Sequence, residues 1–342
     1  MNNLNVGVIG MGKMGILHAG ILNSFKDVNL VAISEKESLL ASNIKKTLKS
    51  INVYSDYEKM FSKEDLDLVY ITTPTKFHPD IALSCLNSEI NFFVEKPLGI
   101  SKSDCLELLK KAKDTKIINM VGYCKHYVDT FSKAKEILDS NTLGKPIYFK
   151  SNMYVSQLFS KGAGWRYKKE ASGGGVLNTL ATHLVDLLLW YFGEPKSVSG
   201  NSKSYYSQEV EDFVHAYLLF DNNVEGYLDA SWSIRNHRLP EISIEIQCEN
   251  GMLYVNDDYI KYQIDGEEKY ITLYKQDLYK GVEIDIGGPE YTLENRHMVN
   301  CVNSKKMPET DIQYGYKVQC INDSIYESSE EKRQISINYE VI

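Results

Sequence analysis

The chain has 342 residues, 43% hydrophobic and 25% charged, which is ordinary globular composition and enough length for two domains. A net charge of −8 argues against nucleic acid as a partner, because phosphate binding needs a basic surface. No segment is expected to reach the length of a membrane span; the longest apolar stretch, residues 184–192, is broken by Asp186 and far too short, so no membrane partner is expected.

In the first third, short apolar runs alternate with amphipathic ones. Strands are predicted over 5–10, 28–34, 66–72, 91–94 and 117–122. Helices are predicted from the first strand through 22, then over 39–48, 80–87 and 103–113. Strands alternating with helices imply a parallel sheet covered on both faces. After about residue 124 the rhythm changes. A helix over 130–138 precedes long alternating strands at 147–155, 213–220, 224–234, 242–248, 252–255 and 270–274. Turn signals separate them at Asp221-Asn222-Asn223, Asn250-Gly251 and Asp265-Gly266. Helices over 293–302 and 314–326 close the chain. The fold class is therefore α/β, with a parallel-sheet domain over 1–123 and a second domain over 124–342 built on a mostly antiparallel sheet. The N-terminus MNNLNVGVIG has no basic n-region, and the six cysteines form no CxxC pair. A cytoplasmic location with reduced, mostly buried thiols is expected. The seven histidines show no ligand spacing, so no metal site is expected.

Residues 6–15, VGVIGMGKMG, place Gly10, Gly12 and Gly15 in a G-x-G-x-x-G pattern at the first strand–helix turn. The turn, with Met11, Lys13 and Met14, would cradle a dinucleotide pyrophosphate on the helix N-terminus. Glu35 ends the second strand, twenty residues past Gly15, where a carboxylate accepts from the adenosine ribose and repels a 2′-phosphate. NAD is expected, with NADP left open by the neighbouring Lys36.

Two further strand ends point into the same crevice. Thr72, Thr73 and Pro74 end one strand; Glu95, Lys96 and Pro97 end another, where a lysine interrupts the apolar run NFFV. His78 reads equally as a cofactor contact or as a half-exposed residue at a helix start. In residues 173–192, GGGVLNTLATHLVDLLLWYF, an apolar helix carries Thr179, His183 and Asp186 at i, i+4 and i+7, one stripe on one face. Burying three polar groups is costly unless they have partners, which a ligand crevice would supply. Removing hydride from a carbon that bears a hydroxyl needs a base near working pH; His183 suits it, and Lys96 would polarise the oxygen.

These segments resemble the Gfo/Idh/MocA oxidoreductases across nearly the whole chain, through GMGKMG, TTPTKFH at 72–78, EKP at 95–97 and GGGVLNTLATHLVD at 173–186. The resemblance implies an N-terminal Rossmann domain and a C-terminal α/β domain whose large open sheet forms a homodimer or homotetramer interface. It implies that Lys96 and His183 are catalytic, that Asp186 touches substrate, and that the Lys96–Pro97 bond is cis. Thr179, beside Asn178, departs from the aspartate many members carry, and Ala181 replaces a frequent glycine. A threonine hydroxyl holds a group but takes no proton at neutral pH, which leaves proton transfer to Lys96 and His183.

Family substrates are sugars, cyclitols and sugar nucleotides. Trp165 with Arg166 offers an aromatic platform and a guanidinium, and Arg235 heads a second basic cluster with His237 and Arg238. Tyr123 is a further substrate contact. Arginines of this kind suit a diphosphate, so a nucleotide-linked sugar leads over a free sugar or inositol. Simple packing of Trp165, or a solvated loop at Arg235, reads the same residues without a ligand. A non-catalytic, NAD-binding sensor like the repressor partners of this fold is the rival class. Another reading keeps the cofactor bound and recycles it with a second substrate.

Overall fold

Six strands pair in parallel: β1 (Leu4–Ile9), β2 (Val28–Ser34), β3 (Asn52–Tyr54), β4 (Leu68–Ile71), β5 (Asn91–Glu95) and β6 (Asn119–Gly122), in the order β3-β2-β1-β4-β5-β6. This is a computed structural model, and it describes residues 3–47 and 50–340. Helices α1 (Lys13–Leu22), α2 (Ser38–Thr47), α3 (Tyr57–Lys63), α4 (His78–Asn87) and α5 (Lys102–Ala112) alternate with the strands. The end of the helix expected over 39–48 lies outside the described residues. Strands β4 and β5 are apolar without alternation because both faces of the sheet are covered: Tyr70, Phe92, Phe93 and Val94 have no exposed surface.

The second sheet has nine strands: β7 (Pro146–Tyr154), β8 (Pro195–Lys203), β9 (Phe213–Phe220), β10 (Glu225–Ser231), β11 (Glu241–Cys248), β12 (Gly251–Asn256), β13 (Tyr259–Ile264), β14 (Ile271–Tyr274) and β15 (Ile335–Ser336). Their order is β14-β13-β12-β11-β7-β10-β9-β8-β15, antiparallel except where β7 meets β10. Alternation along β9, FVHAYLLF, puts Val214, Ala216, Leu218 and Phe220 inward. The rings of Phe149, Phe192 and Phe220 meet there at centroid distances of 5.1 to 5.9 Å. Each buried phenylalanine contributes about 2 kcal/mol, and Phe149→Ala would cost about 4 kcal/mol with its cavity. Helices α6 (Asp129–Asp139), α7 (Lys169–Ser172), α8 (Thr182–Phe192) and α9 (Lys275–Leu278) belong with this sheet, followed by α10 (Pro289–Ser304) and α11 (Ile312–Glu331).

The α/β class expected from the sequence is borne out. Contacts divide the chain into two units. The first holds the chain through Cys124 and takes back Val282–Tyr316, with α10; the second holds Lys125–Gly281 and the chain from Lys317. The return of Val282–Tyr316 was not foreseen by a boundary at 123/124. Among the described residues one helical run, Lys169–Phe192, is long and apolar enough to cross a membrane, which corrects the expectation that no segment reaches that length; its apolar window is 83% buried within the protein. All six cysteines are buried, and no disulfide joins them among the described residues.

Candidate functional site

In the first unit the glycine turn has the shape a dinucleotide needs. Gly10 takes φ +87°, which allows β1 to turn sharply into α1. A Cβ on Gly15 would lie 2.0 Å from the Gly10 carbonyl oxygen, so only glycine lets the helix start this close. A Cβ on Gly12 would meet nothing within 4 Å. That open face lies at the N-cap of α1, which has no side-chain cap, and a pyrophosphate fits there. Lys13 is exposed and Met14 half-buried on the first turn, while Met11 is buried. The Glu35 carboxylate is pinned by two amides, Met11 N–H at 2.6 Å and Glu37 N–H at 2.8 Å. Thr72 donates to the carbonyls of Ile9 at 3.0 Å and Gly10 at 2.6 Å, locking β4 to the turn. Thr73 and Pro74 follow, half-buried. The residues present therefore fit NAD.

The end of β5 lies in the same unit. Lys96 is half-buried, Pro97 is buried, and the bond between them is cis. Glu95 is buried and accepts from Lys96 N–H at 3.2 Å. Its other oxygen accepts from Nε2 of His18 at 3.0 Å. Burial alone would raise the Glu95 carboxyl, but the His18 hydrogen bond and the charges of His18, Lys96 and His78 hold it below the usual carboxylate range. His78 needs correction as a cofactor contact. Its ring is 1% exposed, with Nδ1 2.9 Å from the Pro97 carbonyl and Nε2 2.8 Å from the Thr73 carbonyl, so neither nitrogen faces a ligand. Burial keeps its pKa below the ordinary value, although the two carbonyls pull the other way. Tyr123 is 1% exposed and packs edge-on to Tyr314, with centroids 6.0 Å apart.

In the second unit the glycine-rich segment enters a π-turn, Leu177–Ala181, before α8. Such turns carry an extra residue and rotate the helix face, so Thr179 does not stand in regular α register with His183 and Asp186. The Thr179 hydroxyl donates to Gly175 O at 2.7 Å, Asn178 donates to Ser172 O at 2.7 Å, and Asn322 of α11 donates to Asn178 Oδ1 at 3.2 Å. Glu211 accepts from the amides of Gly175 and Leu177 at 2.7 and 2.9 Å and from the Tyr326 hydroxyl at 2.9 Å. A Cβ on Gly175 would lie 1.9 Å from Glu211 O, which is why small residues precede the turn. His183 is 8% exposed at the start of α8. Asp186 is fully buried, and one of its oxygens accepts from His126 Nε2 at 2.8 Å.

Two of the basic residues on this unit stand over aromatic rings. Arg166 lies over the Trp165 ring at 5.5 Å and Arg235 over Phe159 at 4.9 Å, both exposed. His237 is tied to Glu241 at 3.3 Å and to Ser156 through its amide at 2.9 Å. Sequence reasoning missed His18, His126 and Glu211. His18 had a readable signal, since it is a polar residue inside the apolar helix KMGILHAGIL, the same argument that singled out the stripe on α8.

Residues 4–123 match the model of an oxidoreductase family with an NAD-binding Rossmann fold, and residues 131–254 match the GFO/IDH/MocA C-terminal domain. A scyllo-inositol 2-dehydrogenase (NAD(+)) of Bacillus subtilis is 26% identical over 324 residues, covering 89% of this chain and 88% of that protein. A 2,7-anhydro-N-acetylneuraminate hydratase of Mediterraneibacter gnavus is 22% identical, covering 83% of this chain and 78% of its own. A levoglucosan dehydrogenase solved in complex with NADH has the same fold, with a TM-score of 0.90 over 99% of this chain and 100% of that one, at 22% identity.

Proposed function

We propose, since this chain belongs to the Gfo/Idh/MocA oxidoreductase family, that it transfers hydride between NAD and a secondary alcohol of a sugar or cyclitol ring. The observation that carries the reading is the Glu35 carboxylate, fixed by two backbone amides beside the open face of Gly12. When bound, the nicotinamide supplies the hydride acceptor. The chain does the rest. The α1 N-terminus takes the pyrophosphate, and Glu35 takes the ribose hydroxyls and disfavours a 2′-phosphate. Lys96 polarises the alcohol oxygen, and His183 takes its proton. Thr179 and Asp186 shape the substrate side without sharing the proton.

The substrate is a neutral ring, as the inositol and levoglucosan dehydrogenases among the relatives suggest. A nucleotide-linked sugar is the second reading, favoured by the exposed guanidiniums of Arg166 and Arg235. The test is NADH formation, read at the nicotinamide absorbance band, across free sugars, inositols and uridine diphosphate sugars. Reduction with a free ring alone supports the first reading, and with the nucleotide sugar alone the second. No reduction by any, with NAD bound, returns the chain to the sensor class. The chain assembles as a homodimer or homotetramer through the second sheet, whose uncovered face exposes Tyr227 at 51%; light scattering of wild type and Tyr227→Glu tests this.

A further inference from the structure

The strand-end lysine is braced by two buried histidines of its own unit. On one side, His18 is fully buried on the inner face of α1 against the rings of Phe93 and Tyr70, at centroid distances of 5.0 and 5.4 Å. Its Nδ1 meets both polar atoms of the Asn295 side chain of α10, Nδ2 at 2.9 Å and Oδ1 at 3.1 Å, and the nearer Nδ2 also donates to Tyr291 O at 2.6 Å. With Nδ1 accepting from Asn295, the ring carries a proton on Nε2, directed at Glu95 Oε1 3.0 Å away. The second Glu95 oxygen holds the amide of Lys96. On the other side, His78 holds the Pro97 carbonyl at 2.9 Å. An apolar residue at position 18 would pack as well against those rings, so a buried imidazole aimed at a buried carboxylate needs a reason of its own.

We propose that His18 is a positioning residue for Lys96: it pins the Glu95 carboxylate, ionised, beside the half-buried lysine, and so keeps the lysine's ammonium form and place. Asn295 selects the His18 tautomer that makes this possible. The ionisable groups packed around the pair are Tyr70 of β4, Tyr291 and Glu294 of α10, His78 of α4 and Cys124. Burial and neighbouring charge raise both tyrosines, so they stay neutral; what favours the ionised Glu95 is the hydrogen bond from His18 together with the charge of Lys96. The inference rests on the reading of Lys96 as the amine that polarises the alcohol oxygen.

Its test uses neither substrate nor cofactor. Brief trace acetylation of the full chain over a pH series, read by mass spectrometry on the Lys96 peptide, follows the titration of that amine. His18→Gln places an amide N–H near the Nε2 position and keeps a donor on Glu95. His18→Asn reaches only the Nδ1 position and leaves Glu95 Oε1 without its donor, with the Lys96 amide alone on the other oxygen. Wild type and His18→Gln are expected to titrate alike, while the Lys96 midpoint falls by about one unit or more in His18→Asn, because an uncharged carboxyl no longer favours the ammonium. Glu95→Gln removes the charge with His18 in place and should give the same fall, which decides the matter if His18→Asn does not fold. Coincident titrations in wild type and Glu95→Gln, or equal shifts in the Gln and Asn variants of His18, overturn the proposal. A silent sugar panel with the shift intact would count against the function alone.

Discussion

Asp186, fully buried on α8, accepts a hydrogen bond from His126 at 2.8 Å, and the His126 ring lies flat on Trp190 with centroids 3.9 Å apart. Removing the imidazole leaves a buried carboxylate without this donor. His126→Ala should therefore cost about 3 kcal/mol in urea unfolding, and the double variant with Asp186→Asn clearly less than the sum of the two single losses. Additive losses would show that the two side chains act separately.

The glycine turn separates folding from binding. Gly12→Ala meets open space, so its melting temperature should stay within about 2 °C of wild type while NAD affinity falls at least about tenfold, because the added methyl stands where the pyrophosphate approaches. Gly15→Ala puts a methyl 2.0 Å from a carbonyl oxygen and should lower stability as well as affinity. Calorimetry and NADH fluorescence titration distinguish the two; equal behaviour of the variants contradicts the assignment.

Glu35 holds its geometry through Met11 and Glu37, with Lys36 exposed beside it. Glu35→Gln should weaken NAD binding about tenfold and narrow the preference for NAD over NADP, as charge repulsion of the 2′-phosphate is lost. The pair of dissociation constants measures this, and an unchanged ratio removes Glu35 from the ribose site.

His78 should give the fold a pH signature. Its folded-state pKa is depressed by burial, so below the unfolded value of about 6.5 the unfolded chain binds a proton that the folded one does not. Its contribution is present above pH of about 6.5 and declines as pH falls from there toward the depressed folded value. Glu95, also depressed, adds a separate loss at lower pH, beginning near the unfolded carboxyl value of about 4.3. Urea unfolding between pH 5 and 7 should show a slope that His78→Gln flattens; parallel curves would exclude the histidine as its source.

What the residues revealed depended on whether their partners were local. The buried runs of β4 and β5, the glycine turn and the strand-end lysine are legible because each pattern fits within a dozen residues. β8, PKSVSGNSK, contains proline, glycine and serines and looks like a loop; it is a strand because it pairs with β9 and because Gly200 allows the backbone of Ile325 to approach. β3 and β13 were missed for lesser reasons: the first has three residues, and the second, YIKYQI, has no clean apolar face. The π-turn depends on Asn322, far along the chain, and His18 is paired with Asn295 across 277 positions. No window on a single sequence joins such residues.

The most direct measurement is steady-state reduction of NAD by wild type and Lys96→Ala on whichever ring alcohol the panel identifies, alongside NADH binding to both. Turnover should fall by about a hundredfold or more in Lys96→Ala, with NADH affinity within a few fold of wild type. Full turnover in the variant, or loss of NADH binding in proportion to loss of rate, would contradict the lysine's place at the reacting oxygen.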